Sequence, residues 1–320
     1  ATYAHEVRQL LEVARKHDRI VMICHVLRYA PFYATIRQKV IDGEIGDIVS
    51  LLTEENVSYH HMAVGFVRGK WNRGDKGISM LMAKCCHDLD LITWMKSGIA
   101  PLQVASFGSL MQFKPENAPE GSGTRCLVDC KRERECEYSC KRNYIEQGIW
   151  GFYAWQSIEQ DQSMENKIRS LKEDNPYGRC VWRCDNDVVD HQSVIVEFAD
   201  GSTATHNMVG GTSKPSRTIH LIGTKGEIEG VHEDGYFVIR HPDTSKGSGS
   251  EWSEERVEMN TGGGGHGGGD LRLVADFVHT LQGKPRSISC TSLEDSIYGH
   301  LIGFAADRAR VEHKTLEIAI

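Results

Sequence analysis

The chain has 320 residues, 40% of them apolar and 25% charged, an ordinary globular profile that can bury a sizeable core in one large domain or two smaller ones. A net charge of −7 is spread along the chain, and the densest charged stretch, Lys131-Arg132-Glu133-Arg134-Glu135, alternates in sign. Neither a nucleic acid nor a membrane is therefore expected as partner, and no apolar run approaches the ~20 residues a membrane-spanning helix needs.

The chain opens on an amphipathic helix with Val7, Leu10, Leu11 and Ala14 on one face. It begins at Ala1 with no signal-peptide pattern, and this abrupt start in a helix suggests upstream sequence; the expected location is the cytoplasm. Arg19-Ile20-Val21-Met22-Ile23-Cys24 reads as a buried parallel strand closing a βαβ unit. A helix follows from Pro31, a residue suited to a first turn, and stops at Asp42-Gly43. Ile45–Tyr59 reads as a strand and Ile78–Met95 as a buried helix. Lys114–Asn186 is irregular and carries most of the cysteines. From Val188 to Arg240 strands alternate with turns such as Ala199-Asp200-Gly201-Ser202 and Gly223-Thr224-Lys225-Gly226. Thr244–Gly269, rich in Gly and Ser, reads as a long loop, and two helices and a short strand (Thr315–Ile320) close the chain. This pattern is of α/β (α+β) class: an α/β fragment, residues 1–30, then a domain over 31–320 with a large, mainly antiparallel open sheet and a cysteine-rich insertion near 114–186.

Chemistry concentrates in three places. On the helix after Gly77, Lys84, His87 and Asp88 lie three or four residues apart and can share a face, with Asp90 placed to orient the His87 ring. An imidazole beside an ammonium is held neutral and able to accept a proton. The plain alternative is a helix with a few buried polar groups. His25, Arg28 and Tyr29 follow the presumed parallel strand, where open α/β sheets bind ligands; the alternative is a connecting loop whose arginine pairs with a carboxylate. The third place is Cys126-x3-Cys130-x5-Cys136-x3-Cys140 with Cys180-x3-Cys184. Close cysteine pairs in polar sequence suit a structural zinc, with Cys126, Cys130, Cys136 and Cys180 as the expected ligands. Iron–sulfur ligation, disulfides in an exported protein and free thiols are the competing readings. Cys24, Cys85, Cys86 and Cys290 read as small core residues.

His25-Val26-Leu27-Arg28-Tyr29-Ala30-Pro31-Phe32-Tyr33, Gly43-Glu44-Ile45-Gly46, Glu55-Asn56-Val57, Phe66-Val67-Arg68-Gly69-Lys70-Trp71 and His87-Asp88-Leu89-Asp90-Leu91 together resemble the Gfo/Idh/MocA oxidoreductases. Asp185-Asn186-Asp187-Val188-Val189-Asp190-His191-Gln192, Gly223-Thr224-Lys225-Gly226 and His266-Gly267-Gly268-Gly269-Asp270 extend the resemblance, in order, along nearly the whole chain. It implies a Rossmann domain for NAD or NADP, of which residues 1–30 are the remnant, followed by an α/β domain that binds substrate and oligomerises. It implies hydride transfer on a sugar, inositol or related polyol, and a homodimer or homotetramer built on the sheet face. The family's glycine-rich turn and Glu-Lys-Pro lysine are expected before Ala1, and Ala83 stands where many members carry Asp.

By this resemblance His87 accepts the substrate proton, Lys84 stabilises alkoxide charge, and Arg68, Trp71, Asp90, His191 and His266 line the sugar site. His25, Arg28 and Tyr29 face the cofactor. Asp270 reads as a helix cap. Gly262–Gly269 matches fragments of a dinucleotide fingerprint but lacks an apolar strand before it, so it reads as a flexible loop beside the substrate. Two other functions remain open: NAD-dependent glycoside cleavage on the same fold, and a cofactor-free sugar-binding or oligomerising module.

Overall fold

The computed structural model describes residues 3–245, 251–259, 265–291 and 293–318. Its helices are α1 (Ala4–Lys16), α2 (Pro31–Ile41), α3 (Tyr59–Met62), α4 (Met80–Met95), α5 (Gly151–Ala154), α6 (Met164–Lys172), α7 (Gly269–Leu281) and α8 (Leu293–Glu312). Its strands are β1 (Ile48–Ser58), β2 (Pro101–Ser109), β3 (His191–Phe198), β4 (Thr203–Thr212), β5 (Ser216–Gly223), β6 (Glu227–Val231), β7 (Tyr236–Pro242), β8 (Trp252–Glu258) and β9 (Leu316–Glu317). These form one nine-stranded sheet in the order β8-β7-β6-β5-β1-β4-β3-β2-β9. Only β1 and β4 run parallel; the other neighbours are antiparallel.

Strand alternation sorts the two faces of the sheet. Val194 and Val196 are buried while Ile195 between them is half exposed, as a pleat with one covered face requires. The covered face lies under α4 and α8, which also pack on each other. At the end of α2, Gly43 takes φ 76° and the Gly43 and Glu44 amides donate back to the Val40 and Lys39 carbonyls. This left-handed stop turns the chain toward β1.

Three expectations need correction. Residues 19–24 form no strand of the sheet: Met22 makes a single bridge and the Ile23 amide donates to the Thr291 carbonyl at 3.1 Å. A strand exists only where a neighbour pairs with it, and here that neighbour is one loop. Of the opening helix, Val7 and Leu11 are buried but Leu10 is exposed. Within the supposed loop 244–269, β8 pairs antiparallel with β7 at the sheet edge; residues 246–250 and 260–264 lie outside the described residues. The irregular insertion also packs a small core, from Cys126, Cys140, Tyr144, Trp155, Leu171 and Tyr177 together with Val64.

Candidate active site

Helix α4 positions most of the chemistry. Ser79 caps it by accepting from the Met82 amide at 3.2 Å, and an almost wholly buried surface seats it between the sheet and α8. Lys84 and Asp88, one turn apart, face the sheet. There Glu55 on β1 and Arg217 on β5 stand opposite one another in register. Lys84 Nζ lies 3.1 Å from Glu55 Oε1, while Arg217 Nε reaches Glu55 Oε2 at 2.7 Å and Asp88 Oδ1 at 3.2 Å. Two cations thus meet two carboxyl groups in a nearly dry site. Burial pushes both carboxyls upward, against the pull of Arg217. His206, on β4 beside them, touches Thr53 Oγ1 at 2.9 Å and is lowered to about 4, chiefly by burial.

At His87, three residues beyond Lys84 on α4, four histidine rings gather. His87 meets His25 edge-on at 5.8 Å and His266 at 5.9 Å, and His25 lies 5.3 Å from His300. Burial lowers His87 to about 3, with neighbouring His25 and Arg217 adding to it. Its Nδ1 is sealed in the protein with no hydrogen-bond partner. His25 is lowered to about 4, again mainly by burial, and neither of its ring nitrogens has a hydrogen-bond partner. Beneath His25, Arg28 grips Asp90 with two parallel bonds of 2.6 and 2.5 Å, and both side chains are almost wholly buried. His266 takes a left-handed backbone (φ 51°) and contacts Asp270 Oδ1 at 3.1 Å through Nδ1. Both side chains are about half exposed, at 50% and 53%, so this end of the cluster meets solvent. A Cβ on Gly269 would come within 2.5 Å of the Val26 carbonyl oxygen; only glycine lets the start of α7 close onto the His25 loop.

An aromatic wall stands near Lys84. His61 stacks on Trp150 at 4.4 Å and is lowered to about 3 by burial, then by the Lys84 charge. Trp150 Nε1 donates to His60 Nδ1 at 3.1 Å. Trp71 lies against Phe66 at 5.7 Å and Tyr153 at 6.2 Å. A π-helical turn, Ala63–Val67, carries the chain between these rings.

Comparison with known proteins places this arrangement. Residues 37–318 match the model of the oxidoreductase family's C-terminal alpha/beta domain, GFO_IDH_MocA_C. This chain belongs to the Gfo/Idh/MocA oxidoreductase family. YteT of Bacillus subtilis (strain 168) is 24% identical over 329 residues, covering 98% of this chain and 73% of that protein. Among solved structures, levoglucosan dehydrogenase in complex with NADH and levoglucosan superposes with a TM-score of 0.67 at 13% identity, over 100% of this chain and 72% of that one. A super-repressor mutant of Gal80p from Saccharomyces cerevisiae gives 0.63 at 13% identity, over 99% and 70%. The mixed α/β fold with its large, mostly antiparallel open sheet is thus the fold of the family.

Of the residues the sequence singled out, His25, His87 and His266 come together, and Lys84 lies on the same helix but faces Glu55. After burial, the charges lowering His87 are chiefly His25 and Arg217, with Asp90 opposing them, so the expected tuning by Lys84 gives way to these. Arg28, Tyr29 and Asp90 turn inward: Arg28 holds Asp90, and Tyr29 donates to Asp276 Oδ2 at 2.9 Å. Asp90 therefore orients the loop of His25 rather than the ring of His87. Asp270 is not the cap of α7, a position held by Gly268. His191, 40% exposed, pairs with Asp190 at 2.9 Å on the first residue of β3. Arg68 lies inside the cysteine-rich lobe, and Cys126, Cys130, Cys136 and Cys180 surround one small cavity beside it. Glu55, Arg217, His61, Trp150 and His300 were not foreseen as site residues. Strand alternation was the available signal for Glu55, a buried charge on the sheet's covered face.

Proposed function

We propose that this chain supplies the substrate half of an NAD- or NADP-dependent dehydrogenase acting on a hydroxyl carbon of a sugar, inositol or related polyol. The observation that carries the reading is His87: a neutral imidazole down to about pH 3, set in a histidine cluster open to solvent at His266. Because Nδ1 is enclosed, Nε2 is the atom that takes the hydroxyl proton, which requires the Nδ1–H tautomer. Lys84, held by Glu55, directs its remaining N–H donors at the oxygen as it loses that proton. Trp71 and Trp150 offer apolar faces to the C–H surfaces of a ring. A bound nicotinamide would supply the hydride acceptor for the same carbon.

The residues present fit the nicotinamide end of such a cofactor, because both ring nitrogens of His25 are buried beside His87 without a hydrogen bond, Nε2 lying 3.7 Å from Asp90 Oδ1. Arg28 and Tyr29 brace that loop from beneath. The described part of the glycine-rich stretch, Gly265–Gly268, comes after an antiparallel edge strand, whereas a dinucleotide turn needs a parallel βαβ setting. Exposed Leu52, Phe107, Ile195 and Ile222 on the uncovered sheet face support self-association there.

Two relatives argue for different outcomes: levoglucosan dehydrogenase is an enzyme, whereas Gal80p of Kluyveromyces lactis is a transcriptional regulator (TM-score 0.62, 13% identity). Fold alone does not choose between them. Assay of this chain within its full-length protein, with a panel of sugars and inositols and NAD or NADP, should show nicotinamide reduction with at least one pair. His87→Ala should then lower kcat by about 10²–10⁴-fold. Sugar binding in calorimetry without cofactor binding or turnover would replace this reading with a cofactor-free sugar-binding module.

A further inference from the structure

A second cluster of reactive side chains lies away from α4. Cys126, Cys130, Cys136 and Cys180 line a cavity of about 100 Å³, walled by Arg68, Tyr138 and Trp182. All four are free thiols. Two of them are brought together by backbone pairing across 54 positions of sequence. The Cys126 amide donates to the Gly178 carbonyl and the Cys180 amide to the Thr124 carbonyl, each at 2.9 Å, flanking the Arg125–Arg179 bridge. Cys130 and Cys136 close the ring from the turn that follows.

The charge beside this cavity is the second observation. Arg68 is 2% exposed, and its bonds go to the Arg179 and Tyr138 carbonyls, the Tyr144 hydroxyl and, at 3.5 Å, Cys126 Sγ. No carboxylate is among them. A guanidinium buried without a bonded counter-charge is strongly disfavoured; Glu133, Glu135 and Glu137 share the cavity wall with Arg68, but the Cys126 sulfur is the anion-forming group its guanidinium bonds to there. Four thiolates around a divalent ion carry two net negative charges, and an N–H donor on one sulfur is the usual outer support of such a site.

We propose that Cys126, Cys130, Cys136 and Cys180 ligate a single zinc ion that fastens the cysteine-rich lobe to the aromatic wall of the candidate site. Tetrahedral zinc draws sulfurs to about 2.3 Å from the metal. No three of these four thiols lie within 4.8 Å of one another, so binding contracts the ring by side-chain rotation. A rival trio does meet that distance, Cys85, Asp88 and His206, but Arg217 already bonds to Asp88 and Lys84 to the adjoining Glu55. Its negative charge is answered by two cations, so a metal would add repulsion there. Arg68 also transmits the effect: its amide bonds to the Ala63 carbonyl at 3.0 Å, on the π-helical turn that leads to Trp71. The inference rests on none of the chemistry proposed for His87.

Elemental analysis of the whole protein, purified without chelator, should find one zinc per chain. Cys126→Ser and Cys180→Ser should each lose it, while Cys184→Ser, whose thiol donates to the Cys180 carbonyl, should retain it. Should the ligand variants not fold, titration of the wild type with an organomercurial must release zinc in step with four thiols. Cobalt exchanged into the wild type must likewise show thiolate-to-metal charge-transfer bands. Folded wild-type protein without stoichiometric metal overturns the proposal. So does iron with acid-labile sulfide in place of zinc, or zinc retained in both ligand variants.

Discussion

Around α4, buried charges cancel within regular structure: Arg28 faces Asp90, and Arg217 and Lys84 face Glu55 and Asp88. In the cysteine-rich lobe Arg68 is buried as deeply, yet only carbonyls, a phenol and a thiol answer it. The first region takes its partners from strand register and helix spacing. The second is held by short turns, one isolated bridge and a small core. Order in the first is thus secured by the fold, whereas order in the second depends on a few irregular contacts and, on the inference above, a metal.

The comparison is tested hardest by breaking the Arg28–Asp90 pair. Removing one partner leaves a charge in a dry site, so Arg28→Met should cost about 3–5 kcal/mol of stability in urea unfolding. Arg28→Met with Asp90→Leu should recover most of that loss, because an apolar pair replaces an ionic one. A double variant no more stable than the single would mean that the Arg28 contact with the Cys290 carbonyl, not its pairing, fixes the loop. In the lobe, fully buried Leu171 is the matching target. Leu171→Ala should cost about 2–5 kcal/mol and open the 114–186 region to protease while the sheet stays protected. Uniform loss of protection would show that the two regions unfold as one unit.

Acid sharpens the contrast next. An unfolded histidine takes its proton near pH 6.5, but His25 and His206 hold off to about 4, and His61 and His87 to about 3. Between those values the unfolded chain binds more protons. Stability is therefore complete above about pH 6.5 and falls as pH drops through this window, by up to ~1.4 kcal/mol per unit per histidine. Glu55 and Asp88, raised by burial, protonate first in the folded state and oppose the loss. Urea melts at pH 7 and pH 5 should show a net decrease, and His206→Gln should flatten it by about one histidine's share. An unchanged slope in that variant would mean that His206 charges without cost.

Much of this was legible because it is local. Period and caps marked α2, α4 and β3–β5, and the spacing of Lys84, His87 and Asp88 put chemistry on α4. What stayed hidden is non-local or masked by polarity. Arg217 sits 129 residues from Asp88, and only the β1–β5 register brings it to Glu55. β8 reads as loop because Trp252-Ser253-Glu254-Glu255-Arg256 lacks apolar alternation. It is held instead by cross-strand contacts, Arg240 with Glu254 at 2.7 Å and Arg256 over Tyr236 at 3.5 Å. Arg68 looked like a sugar ligand beside Trp71, but two adjacent turns of chain face different ways: Trp71 joins the aromatic wall while Arg68 turns into the lobe.

The smallest effect is expected at His191. Its neighbour Asp190 carries the structural duty there, accepting from the Met111 and Gln112 amides at 3.0 and 2.6 Å, whereas the His191 side chain is 40% exposed and bonds to that carboxylate. His191→Ala should therefore shift stability by no more than about 0.5 kcal/mol, while Asp190→Ala, which strands those amides, should cost about 1–3 kcal/mol. Substrate affinity measured on the same two variants adds a second reading. A tenfold loss in His191→Ala without any change in stability would extend the sugar site from α4 to the start of β3. Unchanged affinity would confine it to the histidine cluster, Lys84 and the aromatic wall.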